Sequence, residues 1–183
     1  MAPVGRALFD GALIGAAFAI VALTSLLINP MAWIGDYPPD VQAAVTGSVR
    51  STTTFQALVS GALIVVVLGG YTLSLRRLGR EVSDLRFGGV VLHVFLVYWV
   101  ANAFDVVVTD WLFFMHVLRR WVILPGTEGL AGYDDYFFHF QVSFLEPGPW
   151  VGSLIVSLGA GFGWWLLVGR RRVHVRRAET RST

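Results

Sequence analysis

Cysteine and lysine are both missing from this 183-residue chain, and charged residues of every kind make up only 14% of it. The first absence removes disulfides, thiolate metal sites and cysteine nucleophiles, and leaves the redox compartment unreadable. The scarcity of charge, set against 55% apolar residues, departs from a soluble domain, in which about a quarter of residues are charged. Also missing are H-E-x-x-H, G-x-S-x-G and any phosphate-binding glycine loop. The chain therefore carries no signal for haem, flavin or nucleotide, and no internal repeat or low-complexity segment.

What it does contain is four long apolar runs, at 8–28, 55–75, 90–111 and 150–169. Crossing about 30 Å of hydrocarbon takes roughly 20 helical residues, so each run is long enough. The second and fourth hold no charged residue. The first exceeds the length of a signal-peptide core and is followed by no convincing small-x-small cleavage site, which predicts a retained helix. The expected fold is all-α: a polytopic membrane protein forming a four-helix bundle, one integral membrane domain over 1–183 with a basic tail at 170–183. Small residues recur every fourth position in the first span (Gly11, Gly15, Ala19) and in the fourth (Ser153, Ser157, Gly161). Such stripes let helix backbones approach in lipid and predict packing faces.

Basic residues predict direction, because loops rich in them stay cytoplasmic. All 14 are arginine, and eleven fall on one side: Arg6, the 76–86 connection, and the tail. Only Arg50, Arg119 and Arg120 fall on the other side, among Asp36, Asp40, Glu128, Asp134, Asp135 and Glu146. Both termini are thus expected in the cytoplasm, with a structured outer loop between the third and fourth spans. The tail reads as a topology anchor touching anionic headgroups, so no nucleic-acid partner is expected. Asp10, near the cytoplasmic end of the first span, reads as an acid meeting the helix N-terminal dipole.

The third span breaks the apolar rule. Asn102, Asp105, Thr109 and Asp110 lie in its outer half, and an aspartate deep in a membrane costs roughly 2.5 to 3.5 kcal/mol on insertion scales. At α-helical spacing Tyr98, Asn102, Asp105, Thr109 and His116 share a stripe about 60° wide, while Asp110 stands to one side and His93 points nearly opposite. Asp105 lies about 24 Å along the span, close to the second outer loop. There Pro125, Gly126 and Gly129 specify a turn that orients Glu128. The aromatic run at 133–140 reads as an interfacial helix, a re-entrant segment or a lid, and if helical it pairs Asp135 with His139 one turn on.

The segment Asn102-Ala-Phe-Asp105 followed by Asp110-Trp111, the run 124–129 (L-P-G-T-E-G) and the run 133–140 (Y-D-D-Y-F-F-H-F) together resemble a group of small uncharacterised bacterial four-span membrane proteins. Those proteins carry an N-x-x-D…D-W helix and a P-G-T-E-G…D-Y-x-F-H-F loop. The likeness covers about the central quarter of the chain. It implies residence in a bacterial cytoplasmic membrane and a site around Asn102, Asp105, Asp110, His116, Glu128, Asp135 and His139, but no substrate.

Three functions fit these residues. An enzyme opening at the outer leaflet would use the carboxylates and histidines as acids and bases on a lipid or hydrophobic small molecule, or as ligands to a divalent metal. A proton-coupled carrier or small channel would use Asp105 to bind and release protons. An accessory or assembly subunit would present its aromatic loop to a partner membrane protein. Membrane lipids are the expected surroundings in each case, and homo-oligomerisation is left open.

Direction is testable on the cysteine-free background. Thr127→Cys is expected to react with a membrane-impermeant thiol reagent added outside, and Ser83→Cys is not. The reverse labelling pattern would refute the assigned orientation.

Overall fold

The computed structural model describes residues 3–45, 53–82 and 85–179, with side chains described for 4–45, 53–82 and 85–167. Arg50, Ser83 and the tail arginine side chains fall outside these ranges. Among the described residues seven α-helices follow in chain order: α1 (Pro3–Ile28), α2 (Pro39–Ala44), α3 (Thr53–Glu81), α4 (Phe87–Phe104), α5 (Arg119–Val122), α6 (Tyr136–Phe140) and α7 (Pro147–Glu179). Among the described residues there is no strand.

Among the described residues, four helical stretches are long and apolar enough to cross a membrane: Val4–Ile28, Thr53–Glu81, Phe87–Val117 and Pro147–Leu167. In hydrocarbon every backbone N–H and C=O must be satisfied within the segment, so an apolar run of this length becomes helix whatever its detailed propensities. The helices overrun the apolar runs at most ends, because flanking polar side chains can reach back to water while their backbone continues the ladder. α1 stops where Pro30 forbids a helical predecessor. Asn29 there takes φ −150° and ψ 86°.

The spans do not pack as a square. α1 and α4 form the centre, α3 lies on α1, and α7 lies on α4. The two outer members meet near one end, where the Trp164 ring covers Gly79 and Trp164 Nε1 donates to Leu85 O at 3.2 Å. Elsewhere they expose apolar flanks, including Leu58, Val65 and Leu68 on α3 and Ile155, Phe162 and Trp165 on α7. The expected small-residue faces are contacts within the chain. A Cβ added at Gly11 would stand 2.6 Å from Val100 Cβ, and one at Gly15 2.8 Å from Phe104 Cβ. Ser153 and Ser157 of α7 are fully buried, and a Cβ at Gly161 would meet Val91 at 2.6 Å. Trp99 of α4 packs against Trp150 of α7, 4.2 Å between ring centroids.

At one end of the row, polar groups tie three spans together. Ser74 Oγ of α3 donates to Asp10 Oδ2 of α1 at 2.6 Å, and His93 Nε2 of α4 lies 2.7 Å from the same Ser74 oxygen. Arg77 Nη1 approaches Asp10 Oδ1 to 3.7 Å, and Arg6 pairs with Glu81. This corrects the dipole reading of Asp10. That residue lies beyond the first turn of α1, is 3% exposed, and is held by side chains of two other spans.

The opposite end is capped by the 29–45 and 118–146 connections, which share an apolar core of Leu26, Tyr37, Val41, Phe114, Met115, Val122, Leu124 and Tyr133. Two buried tyrosines pin it. Tyr37 OH donates to Val122 O at 2.9 Å, and Tyr133 OH accepts from Leu124 N at 3.0 Å while pairing with Thr127 Oγ1 at 2.6 Å. Asp40 Oδ2 accepts from Gly132 N at 2.8 Å, where any Cβ on residue 132 would collide with the Asp40 carboxylate. The 124–129 turn places Gly126 and Gly129 at φ 83°, a left-handed conformation that glycine adopts without steric cost. Thr127 is 1% exposed. The accessible labelling position in this turn is therefore the neighbouring, exposed Glu128.

These contacts predict a contrast between two glycines. Gly11→Ala, forced against Val100 and the Val97 carbonyl, should destabilise the protein by about 1 to 3 kcal/mol through overpacking. Gly61→Ala meets nothing within 4 Å and should be neutral or slightly stabilising by helix propensity. Thermal unfolding in detergent measures both, and equal melting temperatures would refute the assigned α1–α4 contact.

Candidate functional site

The third span changes its winding at Asp105. From there to Val117 it follows the wider π pattern, bonding N–H to the carbonyl five residues back. Leu118 N closes the last such bond to Phe113 O at 2.7 Å. Val106, Val107, Val108 and Thr109, four β-branched residues in succession, crowd an α-helix at this point. In the wider winding, residues four and five apart share a face, so Asp105, Thr109, Asp110 and Phe114 all line one cavity.

That cavity, of about 320 Å³, lies under the cap between α1, the Pro30–Asp36 turn, the π segment and the 138–143 stretch. Phe18, Leu23 and Leu26 of α1 form an apolar wall, and Trp33, Tyr37 and Phe138 add aromatic faces. Trp33 is held in place by donating from Nε1 to Ser25 Oγ at 3.1 Å. The polar lining consists of Asp36, Asp105, Thr109, Asp110, His139 and Ser143. His139 Nδ1 lies 3.2 Å from Asp110 Oδ2, with the histidine 7% and the aspartate 22% exposed.

Three polar atoms of this lining are buried outside ordinary hydrogen-bond geometry, Asp105 Oδ1, Thr109 Oγ1 and His139 Nε2, although the Thr109 hydroxyl lies close enough to the Asp105 carboxyl to interact with it. An unpaired buried polar group costs about 1 to 3 kcal/mol. Asp10 Oδ1, His93 Nδ1, Trp99 Nε1 and Ser157 Oγ are buried in the same way away from the cavity.

The residues expected at the site divide into two sets. Asp105, Asp110 and His139 meet at the cavity, as the span's π winding allows. Asn102 stands one turn away and donates from Nδ2 to Ser143 O at 3.1 Å, fixing the stretch that carries the cavity wall. His116, Glu128 and Asp135 do not join them. The π winding carries exposed His116 off the stripe expected at α-helical spacing, to a contact between its Nε2 and Tyr136 OH at 3.1 Å. Glu128 accepts from Gly126 N at 3.2 Å and closes its own turn. Asp135 caps α6 by accepting from Phe138 N at 2.9 Å. It therefore does not pair with His139, which turns inward to Asp110 instead.

Asp36 was not singled out from the sequence. It follows the first span by eight residues and reaches the cavity through the turn begun at Pro30. The one signal pointing to it was an acid placed between the aromatic residues Trp33 and Tyr37. Although part of Asp36 meets solvent at the rim, burial and then the charge of Asp110 push its carboxyl above the ordinary range, with His139 opposing. No arginine lines the cavity. Arg119 is engaged by Asp134 on the cap surface, which it holds below the usual carboxylate range.

Among the described residues, no three histidine, aspartate or glutamate side chains converge closely enough to hold a metal ion. No family model, curated protein or solved structure matches the chain.

The raised Asp36 carboxyl sets a sign for pH. Its folded form prefers the proton, so its favourable contribution is complete in acid and is lost as pH rises through the folded-state value. Asp36→Asn should therefore unfold at a higher temperature than the parent at pH 7, with the gap closing toward pH 4. A gap that is constant or widens in acid would overturn this assignment.

Proposed function

We propose that the protein is an enzyme of the bacterial cytoplasmic membrane, with both termini in the cytoplasm and the cap outside. Its cavity, at the outer leaflet, takes a lipid or hydrophobic small molecule and transfers protons to or from it. The observation that carries this reading is the set of unpartnered buried atoms beside the paired Asp110 and His139. Four spans of sufficient length and the one-sided arginine distribution support the placement.

The chemistry follows from the pair. A proton on His139 Nδ1 faces the Asp110 carboxylate, which leaves the lone pair on Nε2. Nε2 then accepts a proton from the bound molecule, Asp110 stabilises the resulting imidazolium, and the same nitrogen returns the proton to the product. Asp105 and Thr109 orient the polar part of the substrate, while the apolar wall from α1 holds its hydrocarbon. Asn102 positions Ser143 and the neighbouring wall. Exposed Tyr136 and Phe137 near the mouth suit the interface from which such a molecule would enter.

A second reading is favoured by a separate observation. The Asp10, Ser74 and His93 cluster supplies a buried acid and imidazole at the other end of the same central helices. Two such stations are what a proton-coupled carrier requires. It predicts pH-driven flux in sealed vesicles that is lost in both Asp10→Asn and Asp105→Asn.

The enzymatic reading is tested with proteoliposomes of bacterial lipid extract in deuterated buffer, followed by mass spectrometry of the lipids. The parent should generate new or deuterium-labelled species, and His139→Gln should slow this by about 10²-fold or more, the usual contribution of a general acid or base. Identical lipid profiles from the two proteins would refute it.

A further inference from the structure

The lining of the cavity names a ligand charge. Three carboxylates, Asp36, Asp105 and Asp110, face a single imidazole, and no lysine or arginine contributes to the wall. With His139 neutral, as an accepting Nε2 requires, the ionised set carries net negative charge that no basic side chain offsets. Asp105 and Asp110 are partly buried and Asp36 stands exposed at the rim, so an anionic headgroup is disfavoured and a cation is drawn in. The aromatic side chains of Trp33 and Phe138 at the same cavity are compatible with a cation as well as with hydrocarbon.

The unpartnered atoms narrow the choice further. With the His139 Nδ1 proton directed at Asp110, His139 Nε2 is an acceptor. Asp105 Oδ1 is an acceptor, and Thr109 Oγ1 can accept through its lone pairs. Thr109 and His139 are each more than nine-tenths buried. Three acceptors beside one cavity match the three N–H donors of a primary ammonium, which also supplies positive charge toward this deficit. A quaternary ammonium brings the charge but no donor. A cavity of about 320 Å³ holds such a headgroup and its first carbons, with the rest of the chain leaving along the apolar wall.

We infer that the cavity binds a primary alkylammonium, its headgroup seated among Asp105, Thr109 and His139 and its chain along α1. The inference rests on the cavity being the ligand site, as the enzymatic reading requires, but not on any turnover there.

The test is binding of four ten-carbon probes to the full-length protein in maltoside detergent, followed by native mass spectrometry and calorimetry. The probes are 1-aminodecane, decyltrimethylammonium, 1-decanol and decyl sulfate. Aminodecane should bind one per chain, at least tenfold tighter than each of the other three. Ala22→Phe, which fills the cavity wall, should abolish that binding, and Asp105→Asn and Thr109→Val should each weaken it at least tenfold. Melting transitions establish that each variant is folded; should Asp105→Asn not fold, Thr109→Val and Ala22→Phe carry the comparison. Equal affinity for decanol or decyl sulfate, or no binding of aminodecane, overturns the proposal. Equal affinity for decyltrimethylammonium overturns the three-donor match. Displacement of bound aminodecane by stoichiometric Mn²⁺ reassigns the site to a divalent cation and likewise overturns it. Amine binding that survives while His139→Gln leaves the lipid products unchanged would sink the enzymatic reading alone.

Discussion

The change from α to π winding at Asp105 is the constraint on which the cavity depends. In a continuous α-helix Asp110 would stand to one side of Asp105, and the carboxylates would face different neighbours. The i→i+5 pattern puts Asp105, Thr109, Asp110 and Phe114 on one wall. π segments are uncommon because their hydrogen bonding and packing are poorer, and they are frequently retained at functional sites. Here the winding is supported from outside the helix. Asn102 ties the last α turn to Ser143, and the cap core grips Phe114 and Met115.

The cap makes the second contribution, by fixing two connections that would otherwise move independently. Tyr37 and Tyr133 are large, almost fully buried and hydrogen-bonded through their hydroxyls. Each anchors backbone of the 122–124 stretch. The link from Asp40 to Gly132 joins the same two connections a second time. Asp36 and His139 come from opposite sides of this joint. The cavity they line with the third span is thus a product of cap assembly as much as of the membrane helices. Glu128, Asp135 and Arg119 of the long connection are spent on turn, helix cap and surface ion pair.

Four spans were legible from composition because lipid allows an apolar run of that length to become little else. The glycine and serine stripes were legible for a related reason: close helix approach needs small residues at helical spacing, and Gly11, Gly15 and Gly161 stand where that approach occurs. Asp105, Asp110 and His139 could be nominated as polar residues in or near a span, yet their partnership could not. An α-helical stripe includes His116 and leaves Asp110 aside, and a run of β-branched residues does not by itself specify a π segment. Asp36 and the Asp10 cluster escaped for another reason: both depend on contacts between segments far apart in the chain. Asp10 meets Ser74 and His93 across 64 and 83 residues, a separation on which local periodicity is silent.

Both polar clusters use the central helices, while α3 and α7 lie on the flanks with most of their apolar surface outward. That division follows from the different costs of polar and apolar groups in a membrane. Carboxylates and imidazoles are tolerated only where protein surrounds them, so they collect on α1, α4 and its π extension, the two members with neighbours on both sides. Leucine, isoleucine and valine cost nothing against lipid and can occupy the flanks. α3 departs from this near its ends, where Ser74 and Arg77 reach inward to Asp10 and Gln56 donates to Ala32 O. α7 contributes serines and Gly161 to the face that meets α4. A ligand reaching the cavity thus meets its polar groups on the central pair and the cap, not on the lipid-facing flanks. Substitutions that change the outward surfaces of α3 and α7 act on lipid contact or association between copies, and leave the carboxylate set untouched.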